Sequence, residues 1–165
     1  MKTRELLILV CLFTFLTGCV TTESLDSGST RFLPPELAHV SFGQPQADFL
    51  QQYPQAMEDH EDGMAFRRIF LRDDVGEAFD SVAYYFDADG DKPLYEVILN
   101  YKDPAVRDAW VSSQLGPPNF KDSEWLFDSG EGYSLNAWTF QNKLIFAAIL
   151  PGTEWDEDGD GEVDS

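Results

Sequence analysis

The chain has 165 residues and a net charge of −19, from 30 acidic and 11 basic side chains, and 14% of its residues are aromatic. One domain, or two small ones, with an ample aromatic core fits that length. So acidic a surface repels phosphate backbones and anionic head groups, which excludes direct nucleic-acid binding and attachment to membranes by a basic patch.

The chain opens with Lys2 and Arg4, then an apolar run from Leu6 to Leu16, then Thr17-Gly18-Cys19. Eleven residues are too few to span a hydrocarbon core, which needs about 20 helical residues. They fit the apolar region of a secretory signal. Leu16-Thr17-Gly18-Cys19 resembles the lipobox of bacterial lipoprotein precursors. The resemblance implies removal of residues 1–18, a diacylglyceryl group on Cys19 and a protein held at the cell envelope by its lipid. Val20, rather than Asp, follows the cysteine, which by resemblance to enterobacterial sorting points to the outer membrane rather than the inner. Cys11 lies in the discarded segment and Cys19 would carry the lipid, so the mature chain has no thiol for a disulfide, a metal or a nucleophile. Residues 19–30 read as a Ser/Thr/Gly-rich tether, reaching about 35 Å when extended.

Two similar α-β-β-β units follow, at 31–102 and 103–151, giving an α+β fold with antiparallel sheets that can join and helices packed on one face. In the first, Gly43-Gln44-Pro45 opens a helix whose Ala47, Leu50 and Tyr53 share a face, and Pro54 ends it. Ala65–Arg72, Phe79–Asp87 and Leu94–Tyr101 read as strands, with Tyr95, Val97, Leu99 and Tyr101 on one face of the third. In the second unit Asp103 caps a helix with Pro104 in its first turn. Val106, Ala109, Trp110 and Ser113 form its apolar stripe, and Gly116-Pro117-Pro118 stops it. Strands follow at Glu124–Asp128, Tyr133–Phe140 and Leu144–Leu150. The last is apolar on both sides, as a central strand covered on both faces would be. Leu115-Gly116-Pro117 before a strand around Trp125 is similar to the BamE/SmpA-type domain, and the related β-lactamase-inhibitor-like fold carries such units in tandem.

Few residues offer chemistry. Asp156, Asp158 and Asp160 precede Gly161 with the spacing that opens an EF-hand-type loop, so they are candidates for a weak calcium site; a solvated acidic tail over 152–165 is the plainer reading. Asp87, Asp89 and Asp91 repeat the spacing in a turn-rich join. His39 and His60 lack any spaced partner, and no nucleophile elbow or zinc motif occurs. No catalytic residue and no cofactor beyond weak Ca²⁺ is expected, and the chain is not read as an enzyme. Arg67, Arg68 and Arg72 are either counter-ions to an acidic neighbour strand or a basic patch for a partner. Trp125, Tyr133, Trp138 and Phe140 lie close together on the second sheet, as core or as a binding face. The expected role is a non-enzymatic module at the membrane surface that binds or scaffolds another envelope protein. The alternative is a lipoprotein that binds carbohydrate or a small ligand on an aromatic sheet face.

Overall fold

Seven strands form one antiparallel sheet in the order β1-β2-β3-β4-β7-β6-β5 in a computed structural model that describes residues 28–60 and 65–157. The strands are β1 (Met57–Asp59), β2 (Arg67–Arg72), β3 (Phe79–Asp87), β4 (Leu94–Tyr101), β5 (Glu124–Asp128), β6 (Ser134–Phe140) and β7 (Lys143–Ile149). Helices α1 (Gln46–Gln52) and α2 (Pro104–Gln114) precede the two runs of strands, and a short α3 (Glu154–Glu157) follows β7. Two 3-10 turns, Gly28–Phe32 and Pro35–Leu37, lead into the first helix. The fold is thus α+β. Among the described residues no helix is long and apolar enough to cross a membrane.

Local chemistry sets the helix ends. The Asp103 carboxylate accepts from the Ala105 N–H at 2.8 Å, Pro104 fills the first position where no N–H is needed, and Gly116 adopts φ +70° after the last turn. Register places Phe70, Tyr84, Val97 and Phe146 on the same side of adjacent strands. Phe49 of α1 packs on that side, 4.6 Å from the Tyr84 ring and 5.1 Å from Phe86. Trp110 of α2 meets the Phe146 ring edge-on at 6.4 Å. β7 lies between β4 and β6, and its Leu144 to Ala148 are all buried, as the two-sided apolar pattern predicts.

Each predicted helix face is met in part: Leu50 of α1, its C-cap Tyr53 and Trp110 of α2 pack against the core, but the buried residues lie one position away. In α1 the buried residue is Phe49, with Leu50 and Tyr53 partly buried, while Ala47 is exposed. In α2 the buried residues are Arg107 and Val111, whereas Val106, Ala109 and Ser113 are exposed. Arg107 is tolerated inside because its guanidinium donates to the Asp108 carboxylate and to the Gln141 carbonyl. Its charge is what misleads a reading by hydrophobic spacing.

Tyr95 is also displaced from its predicted face. Tyr85 pairs with Glu96 but Phe86 pairs with Leu94, so Tyr95 is the extra residue of a β-bulge. Leu94 joins Val97 in the helix-side core, while Tyr95 and Glu96 reach α3 on the other side.

Phe49→Ala removes a fully buried ring and is expected to cost about 3–5 kcal/mol in urea unfolding. Val106→Ser, on the stripe predicted to be buried, is expected to stay within about 0.5 kcal/mol.

Candidate functional site

A groove of about 410 Å³ opens on the helix-bearing side, between the Leu33–Glu36 segment and α2. Proline at 34 and 35 stiffens one wall; Val106, Trp110 and Gln114 form the other. Phe79 and Tyr101 make the floor, their rings edge-to-face at 4.8 Å. Tyr101 is 1% exposed, and its hydroxyl has no hydrogen-bond partner among the described residues. Burial, reinforced by the Glu36 carboxylate, pushes its pKa up, with Arg107 acting weakly in the opposite sense. The hydroxyl is therefore a neutral donor. Two apolar walls, one unpaired O–H and a carboxylate at the rim make a binding groove; neither an activated nucleophile nor a paired general base lines it.

The opposite side of the sheet carries a second constellation, built by the bulge at Tyr95. The Tyr95 hydroxyl donates to Glu154 Oε2 at 2.7 Å, and the Trp155 indole N–H donates to Glu96 Oε2 at 2.9 Å. Arg67 lies 3.7 Å from Glu154 and 5.1 Å from the centre of the Tyr85 ring. Burial raises the Glu96 pKa to about 7; the Trp155 bond and Arg67 oppose the rise, and Glu154 adds to it. Beside this cluster a notch of about 250 Å³ is lined by Lys121, Glu124, Asn136, Trp138 and Trp155.

The sequence-predicted residues are dispersed. Arg68 pairs closely with Glu58 of β1, and Arg72 pairs with Asp74 at 3.0 Å while its guanidinium covers the Tyr53 ring at 4.0 Å. Alternation puts Arg67 on the opposite side of β2 from Arg68 and Arg72, so the three do not form one patch. Each has an acidic partner, but only Arg68 finds it on a neighbouring strand; Arg72 pairs within the loop after β2 and Arg67 with α3. The four aromatics predicted to stand together are split as well. Trp125 is buried on the helix side with its N–H on the Gly116 carbonyl, and Tyr133 packs against that core. Trp138 lies on the other side, edge-on to Trp155 at 5.3 Å, and Phe140 is 59% exposed.

Glu154 and Trp155, expected in a solvated tail, are docked on the sheet. The Asp156 carboxylate accepts from the Gly152 N–H at 2.9 Å; Asp158 and Asp160 of the calcium candidate, and Cys19 with the tether to residue 27, lie outside the described residues. Asp87 Oδ1 accepts from the Asp89 N–H within the β3–β4 turn. Among the described residues no three His, Cys, Asp or Glu side chains are grouped to hold a metal. His39 and His60 are exposed. Sequence spacing put Tyr101 in the core and passed over the groove. The one visible hint of the second cluster was Glu96, the single charge in β4.

The outer edge of β5 is closed. Asn119 acts as a one-residue strand there: its Oδ1 accepts from the Leu126 N–H at 2.8 Å and its Nδ2 donates to the Leu126 carbonyl at 3.1 Å. Arg31 donates to the Asp128 carbonyl beyond it.

Glu96 holds its proton in the folded protein to about pH 7, against an ordinary value of 4.5. The folded state therefore binds more protons between those values, and stability falls as pH rises through that window. Glu96→Gln keeps an acceptor for Trp155 and removes the effect. Unfolding free energies measured at pH 5 and pH 8 are expected to show the variant gaining on the wild type at the higher pH, by up to about 3 kcal/mol. No protein-family model, no curated protein and no solved structure matches the chain.

Proposed function

We propose that the protein is an envelope lipoprotein, tethered through a diacylglyceryl group on Cys19, that binds a partner protein at the membrane surface without chemistry of its own. The observation that carries this reading is the Tyr101 hydroxyl, buried and unpaired in the floor of the Leu33–Glu36/α2 groove. An unpaired buried donor costs about 1–3 kcal/mol, which a partner supplying an acceptor would relieve. The groove starts at Leu33, next to the 3-10 turn Gly28–Phe32 into which the proposed tether would lead. Glu36 at the rim and the net charge of −19 favour a segment that carries basic side chains, for electrostatic steering and for packing a cation over Trp110.

We infer further that the sheet arose from two tandem α-β-β-β units, β2–β4 behind α1 and β5–β7 behind α2. The strand order supports this reading, since each run is a meander and the two meet last strand to last strand through β4 and β7.

Two measurements test the function. Cys19→Ser is expected to move the protein from the membrane fraction to the soluble one; unchanged sedimentation with membranes overturns the anchor. A photo-crosslinking side chain at Val106, which lines the groove and is 46% exposed, is expected to give one discrete protein adduct in intact cells, and the same probe at exposed Gln141 none. Trp110→Ala is expected to weaken the Val106 adduct several-fold. Equal adducts from both positions overturn the groove as the binding site.

A further inference from the structure

We infer that the notch between β5, β6 and α3 is a second ligand seat, separate from the groove, and that it takes an uncharged pyranose ring of a glycan. Its walls are two half-buried indoles, Trp138 and Trp155, meeting at 62° with ring centres 5.3 Å apart. Such an angle presents one indole face for the C–H face of a sugar ring and a second surface across its edge. Trp155 is held ready, because its N–H is bonded to the buried Glu96 carboxylate. Beside the indoles stands a polar trio, with Glu124 paired across the ladder with Trp138 and Asn136 two residues before Trp138 on the same side. Glu124 Oε2 accepts from Asn136 Nδ2 at 3.1 Å and lies 3.4 Å from Lys121 Nζ.

Three features select the ligand class. Glu124 and Lys121 neutralise each other within a strongly acidic protein, so the notch offers no net charge to an ionic ligand. Asn136 Oδ1 is buried without a partner among the described residues and requires an O–H or N–H donor, which a hydroxyl-rich ring supplies. The volume, about 250 Å³, is below the usual range for drug-sized ligands and suits a single ring rather than a folded side-chain cluster. Fixed planar acceptors and donors beside an aromatic wall are the elements from which hydroxyl stereochemistry is read.

The test uses the full-length protein in a detergent without a sugar head group, with ¹⁵N-labelled indoles. The four tryptophans give four indole signals. Chitotriose, cellotriose and maltotriose are titrated in turn to about 10 mM, where weak single-ring recognition registers. The expected result is saturable movement of the Trp138 and Trp155 signals with at least one trisaccharide, while Trp110 and Trp125 stay in place. Trp138→Ala, and independently the shape-conserving Glu124→Gln, are expected to weaken binding by tenfold or more. The inference is overturned if no trisaccharide moves these signals, if only Trp110 in the groove responds, or if both variants bind as the wild type does. Silence of all four signals sinks the notch alone, because the groove reading rests on the Val106 crosslink, so the two readings fail separately.

Discussion

The pairing of β4 with β7 is the constraint on which the rest of the molecule depends. Five residue pairs, from Glu96–Ala147 to Asn100–Lys143, join two meanders that would otherwise each present an open edge. Val97 against Phe146 and Leu99 against Leu144 fall on the helix side, and Ile98 against Ile145 on the other. Both strands therefore need cover on two sides. On one side α1, α2 and the entry segment provide it, through Phe49, Val111, Leu37 and Val40. On the other, cover over Ile145 and Ala147 centres on the short C-terminal turn and its Trp155. Among the described residues there is no cysteine or metal cluster to share the task, so hydrophobic burial carries the fold.

The two candidate surfaces are consequences of how unevenly the two sides are covered. The entry segment and α2 do not close completely over the sheet, and the gap between them is the groove above Tyr101. The opposite side is largely half-buried, and α3 is held there by Tyr95 and Glu96 at the bulge together with Arg67 of β2 and Trp138 of β6. The few cations follow the same economy. Arg67, Arg68, Arg72 and Arg107 each have a carboxylate partner, which leaves the negative field of the remaining surface uncompensated for any approaching partner.

Much of the fold was legible in the sequence because strand alternation and turn chemistry are local. The ranges Phe79–Asp87, Leu94–Tyr101 and Glu124–Asp128 follow from period-two apolar spacing between Asp, Gly and Pro clusters, and β3, β4 and β5 have those bounds. Asp103-Pro104 and Gly116 mark the ends of α2 for equally local reasons. Helix phase was not legible, because it is set by what lies beneath. Phe49 turns inward toward Phe70, Tyr84 and Phe86, and Arg107 turns inward toward a carbonyl 34 residues away. The bulge at Tyr95 is likewise a property of two strands together. β1 is three residues long, too short for any periodicity, and α3 is hidden within an acidic stretch whose composition argues for solvent. The candidate sites were less legible still. A groove is a gap between elements distant in sequence, and nothing in the spacing of β4 marks Tyr101 as floor rather than core, since buried Tyr84 also has an unpaired oxygen.

Asn119 has a consequence for proteins crowded on a bilayer. A bare terminal strand is a template on which an identical chain can lay its own strand, and repetition of that step grows a fibril. Lipid anchoring of the kind proposed for Cys19 would confine copies to two dimensions, where encounters between such strands become frequent. The Asn119 amide, satisfying the N–H and C=O of Leu126 together, joins the Phe120 backbone on Glu124 and Arg31 on the Asp128 carbonyl in removing the template at that end of the sheet.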